Sequence, residues 1–135
     1  MAAFTYFGAL AVLVFVGWVW FLLAVATKIA TPPGALYARR CGTVTDSVWR
    51  TVPLSTVIVY PDRLEVEAGK RYVLPIADIT AVEYRRNVMI RGIFIHHHAA
   101  GIPREIVIYT IEWQRLLKLL QNQIRVSHEH PAGPA

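Results

Sequence analysis

The sequence predicts a membrane-anchored α+β protein: one transmembrane helix, then a small antiparallel β domain closed by a C-terminal amphipathic helix. Three observations predict it. Phe4 to Thr27 runs for about 24 residues without a charge or a proline, long enough as a helix to cross a hydrocarbon core of about 30 Å. Between Thr43 and Thr110 the apolar pattern alternates in short runs broken by turn residues, the period of half-buried strands. From Glu112 to Arg125 the apolar residues Trp113, Leu116, Leu117, Leu120 and Ile124 return at helical spacing and form one stripe.

The first run reads as a helix because a helix alone satisfies its own backbone in lipid. A cleaved signal peptide is the competing reading, since Ala24-Val25-Ala26 has the small residues of a cleavage site. Yet no charge precedes Lys28, and the run exceeds the 7–15 residues of a typical signal core. The flank after it carries Lys28, Arg39, Arg40 and Arg50 against Asp46. The positive-inside rule then puts the C-terminal domain in the cytoplasm and the N-terminus outside, in the inner membrane of a bacterial cell. The single cysteine, Cys41, fits a reducing compartment.

All 14 Lys and Arg and all 9 Asp and Glu of the 135 residues follow Thr27, so the net charge of +5 belongs to the part outside the membrane. Such a domain is drawn to anionic lipid at about 1 kcal/mol for each Lys or Arg near the surface. Nucleic acid is not an expected partner, because no reader motif is present. Within the anchor, Gly17, Trp18, Trp20 and Phe21 sit below the level where interfacial aromatics gather. They are the expected contact with another membrane subunit, and they also suit a bound lipid or pigment.

Thr31-Pro32-Pro33-Gly34 stops the first helix. Residues 35–42, ALYARRCG, read as a short interfacial helix with Arg39 and Arg40 toward headgroups. Strands follow: Thr43 to Thr51, Ser55 to Tyr60, Arg63 to Ala68, Arg71 to Leu74, Thr80 to Arg86, Gly92 to His97 and Arg104 to Thr110. In the third, Leu64, Val66 and Ala68 face the core, with Arg63, Glu65 and Glu67 toward water. Ile76-Ala77-Asp78-Ile79 is a turn whose isoleucines dip inward. The expected division is 1–30 anchor, 31–51 linker and first strand, 52–126 folded domain, and 127–135 disordered tail.

Asp62-Arg63-Leu64, then Leu74-Pro75-Ile76 with Ile79 and Val82, then one terminal helix opened by Trp113, together resemble a bacterial pleckstrin-homology-like (PH-like) domain over residues 52–125. The resemblance implies a small barrel of two nearly orthogonal antiparallel sheets, with the helix plugging one corner through Trp113, Leu116, Leu117 and Leu120. It also implies a binding platform. The chain departs from lipid-binding members in one respect: Val57 to Asp62 has no base, so a phosphoinositide pocket is not expected there.

Arg85, Arg86 and Arg91 flank residues 87–90, Asn-Val-Met-Ile, as a basic tip suited to lipid or a partner. His96 and His98 share a strand face, but a structural zinc wants four ligands and no cysteine pair is present. They read as polar residues leaving a strand end. No serine-hydrolase, zinc-protease, dinucleotide or P-loop motif occurs, and no catalytic or cofactor site is expected. The sequence therefore points to a non-catalytic accessory, scaffold or assembly subunit of a larger membrane complex, with a respiratory or photosynthetic complex as one fitting host. A membrane-tethered sensor of anionic headgroups, reading them through Arg39, Arg40, Arg85, Arg86 and Arg91, is the alternative.

Overall fold

The computed structural model describes residues 2–26, 28–46, 48–86 and 91–129. An apolar helix, α1 (Ala2–Ala26), leads into seven strands and a second helix, α2 (Trp113–Glu129). The strands are β1 (Tyr37–Thr45), β2 (Val48–Val59), β3 (Arg63–Ala68), β4 (Lys70–Pro75), β5 (Ile79–Arg86), β6 (Arg91–His97) and β7 (Ile106–Tyr109). Residues 3–22 of α1 are long and apolar enough to cross a membrane, and none of that span is buried against the rest of the chain.

All pairings are antiparallel, and the order across the sheet is β4-β3-β2-β1-β7-β6-β5. Its two edges, β4 and β5, are consecutive in the chain and are joined only by the 3-10 turn Ile76–Asp78. Three residues cannot span a flat seven-stranded sheet at about 4.8 Å per strand. The sheet must therefore curl until its edges meet this turn. The expectation of two separate sheets gives way to one continuous curled sheet, because β1 pairs with β2 along its length and with β7 from Gly42 to Thr45.

The core is what the alternation promised. Val57, Val59, Leu64, Val66, Leu74, Ile93, Ile106 and Ile108 point inside the curl, and Ile76 and Ile79 dip in from the turn. α2 fills the remaining opening with Leu116 and Leu120, both wholly buried, while Trp113, Leu117 and Ile124 pack around them. Trp113 is half-buried and stacks on Tyr84, ring centroids 3.8 Å apart. Gly92 is the close approach in the sheet: a Cβ there would lie 2.8 Å from Val107 Cγ1.

Four local expectations need correction. The segment expected as an interfacial helix enters β1 at Tyr37, so the first strand starts six residues before the expected Thr43. Tyr37, Ala38 and Cys41 are buried there, a demand of the core that outweighs eight residues of weak helical pattern. The predicted strand 43–51 is divided by a turn at Asp46, which takes φ of +46°. Four residues of β2, 51–54, stand against Gly42 alone, a bulge that includes Pro53, which has no amide to donate. Glu65, expected toward water, is buried, its side chain 6% exposed between Arg63 and Arg71. Finally, α2 runs on through Ser127 and His128 to Glu129, so that the expected tail starts as helix; residues 130–135 lie outside the described residues, as does the loop 87–90.

Candidate functional site

The segment between α1 and β1 builds a polar concavity. Lys28 lies two positions past Ala26 and pairs with Arg39 as an isolated antiparallel bridge. This takes the β1 edge beyond the point where β7 stops, since β7 reaches only Gly42. The Ala35 amide donates to the Pro32 carbonyl (3.0 Å), and the Leu36 amide to the Val59 carbonyl (2.7 Å). Gly34 supplies the positive φ of +80° that this turn needs. The connector is thus tied to the sheet at both ends, and the first turn of α2 closes over it with Arg115.

Lys28, Ile29, Thr31, Tyr37, Arg39 and Arg115 line the resulting cavity of about 210 Å³. Arg39 Nη2 donates to Glu112 Oε1 at 3.0 Å. Arg115 Nη1 stands 3.9 Å from Glu112 Oε2, and its guanidinium lies 5.9 Å from the Tyr37 ring centre. The Tyr37 hydroxyl is 3.4 Å from Thr110 Oγ1, and burial pushes its pKa upward. Tyr37 therefore stays neutral, and the local charge is that of three cations and one carboxylate.

The sheet register gathers the sequence-predicted arginines. Gly42 pairs with Tyr109, Thr43 with Ile108, Ile108 with Ile93, and Gly92 with Arg85. Moving from that row toward Arg40 and Arg39 on β1 is moving toward Arg91 on β6 and Arg86 on β5. All five thus lie toward the end of the sheet where the chain arrives from α1. Arg40, Arg85 and Arg86 are exposed and Arg39 is half-buried. Arg85 pairs with Glu83 and lies over Phe94, 4.8 Å from its ring centre; for Arg91 the backbone position alone is described. Lys28 and Arg115 were missed as members of this group. Their meeting depends on contacts between residues far apart in the chain, which local period does not show.

In α1, Trp18, Trp20 and Phe21 are 62%, 59% and 63% exposed. Gly17 has open space beside it. At 100° per residue the four spread over nearly half the helix circumference, so they form no narrow stripe.

The three consecutive histidines each have a different partner. His96 Nε2 lies 2.8 Å from Glu83 Oε1. His97 donates from Nε2 to the Pro103 carbonyl (2.7 Å) and accepts at Nδ1 from the Ala99 amide (3.1 Å). His98 Nε2 is 3.5 Å from Asp78 Oδ1. The hydrogen bond from His96 and the Arg85 guanidinium hold the Glu83 carboxyl below its ordinary range. Among the described residues no three His, Cys, Asp or Glu side chains stand together as a metal centre.

No protein-family model and no curated protein matches the chain. Among solved structures it is similar to the C-terminal domain of an unknown protein from Leishmania infantum. That similarity has 14% identity and a TM-score of 0.55, and covers 67% of this chain and 84% of that one. At such identity the likeness speaks for the fold alone: a curled antiparallel sheet with a helix across its opening.

Proposed function

We propose that the chain is a PH-like binding module held at the cytoplasmic face of a bacterial inner membrane by α1, and that it serves as a non-catalytic accessory or assembly subunit of a larger membrane complex. One observation carries the reading. Residues 3–22 of α1 leave their apolar surface uncovered while the sheet and α2 close on a core of their own. A helix with Trp18, Trp20 and Phe21 bare needs lipid or another helix around it. The strand order, with a three-residue link between the sheet edges and a helix plug, supports the PH-like resemblance. Among the described residues β4 and β5 each pair with one strand only, and such edge backbone suits strand addition by a partner.

The test is purification of the tagged full chain in mild detergent. Trp18→Ala with Trp20→Ala should leave it in the membrane fraction and release the co-purifying subunits. Unchanged co-purification would refute the subunit reading. A second reading, contact with anionic headgroups, is favoured by the arginines that register brings to the α1 end. Headgroup attraction should weaken steeply with added salt, whereas a packed helix contact should not.

A further inference from the structure

We propose that the cavity among Lys28, Tyr37, Arg39 and Arg115 holds the phosphodiester of one anionic lipid. The inference rests on α1 being an anchor, and it gives the headgroup reading a defined site. Charge comes first. Lys28, Arg39 and Arg115 converge with Glu112 as the acid between the two arginines, which leaves two positive charges over. Phosphate is the anion that arginine forks and lysine ammonium groups take best.

Placement comes second. A single residue separates the last turn of α1 from Lys28. An anchor ending at the lipid surface sets Lys28 at headgroup depth, and the bridge to Arg39 carries the cavity there with it. The tie of Leu36 to Val59 and the turn at Gly34 fix the wall in advance, so little ordering cost remains for binding.

Size and polarity come third. About 210 Å³ is room for several waters at about 30 Å³ each, and so for a phosphate group. The wall also contains Ile29 and Leu36, the latter 41% exposed. An apolar flank beside a cationic end fits a glycerophospholipid and does nothing for inorganic phosphate. The lipid is therefore the source the geometry selects.

The full chain, purified in mild detergent, is mixed with equal amounts of phosphatidylglycerol and phosphatidylcholine of matched acyl chains. Native mass spectrometry then counts the lipid retained. The wild type should keep one phosphatidylglycerol with about thirtyfold preference, as expected when each of two spare cations adds about 1 kcal/mol toward one anion. Lys28→Gln with Arg115→Gln should bring the preference near unity. Lys28→Arg with Arg115→Lys, which keeps both charges, should retain it, as should Arg85→Gln with Arg86→Gln. An undiminished preference in the glutamine pair overturns the site, and so does its loss in the charge-keeping pair. Displacement of the lipid by millimolar inorganic phosphate overturns the lipid assignment. Wild-type protein that needs no detergent overturns the anchor itself, a result visible before any lipid is added.

Discussion

Leu120 tests whether α2 is a plug for the curled sheet or a passenger on it. Its side chain is 0% exposed and belongs to the same cluster as Leu116, Ile76 and Ile79. Leu120→Ala removes three carbons from a closed core, and such truncations cost about 2–5 kcal/mol through lost transfer energy and the cavity left behind. Because the site is fully enclosed by strands and a short turn, collapse is limited and about 3 kcal/mol is the working figure. A domain of this size shifts its melting point by about 4–8 °C per kcal/mol, so the variant should melt roughly 12–24 °C below wild type. Leu120→Asp should do more, since an unpaired carboxylate would have to enter the core, and should leave no cooperative transition. Gln114→Ala, on the exposed face of α2, should stay within about 0.5 kcal/mol of wild type. The assay is a thermal scan of the detergent-solubilised full chain by near-ultraviolet circular dichroism, where the stacked Trp113 and Tyr84 report packing. Leu120→Ala melting together with Gln114→Ala would mean that α2 does not close the core.

Glu65 and Cys41 give two further tests. Burial pushes the Glu65 carboxyl upward, but hydrogen bonds from Arg71 and Arg63 outweigh it and hold the group below the ordinary 4.5. A depressed carboxylate stabilises the fold above its unfolded value and loses that contribution as pH falls through the folded one. The stability gap between wild type and Glu65→Gln should thus be largest at neutral pH and shrink below about pH 4.5; a gap unchanged into strong acid would break the reasoning. Burial raises the Cys41 thiol to about 12, so a maleimide at mildly alkaline pH should label it only after denaturation, and prompt labelling of the folded protein would place Cys41 outside the core.

β7, buried on both faces at Ile106, Val107 and Ile108, was legible as a short β-branched run. Most other strands from Val57 onward were legible because apolar residues alternate along them. The α2 stripe was legible for the same reason at a different period. β1 was not: in Tyr37-Ala38-Arg39-Arg40-Cys41 the buried residues are Tyr37, Ala38 and Cys41, a spacing that mimics a helix turn. Only the presence of β2 on one side, with Lys28 and then β7 on the other, makes it extended. Glu65 misled for a related reason. A carboxylate on a strand reads as solvent-facing unless the guanidiniums that bury it are seen, and Arg71 arrives from across the β3–β4 hairpin.

By itself the sequence determined that an uninterrupted apolar helix precedes a small domain of alternating strands and a final amphipathic helix. Those properties depend on the local order of apolar and polar side chains, which a linear text records in full. The tertiary structure alone decided that the strands form one sheet curled onto a three-residue turn. It alone decided that Lys28, Arg39 and Arg115, separated by up to most of the chain's length, share a cavity at the foot of α1. Closure and convergence depend on which edges meet in space. The cost of leaving backbone groups and core residues unpartnered selects those meetings, and no short window of sequence carries it.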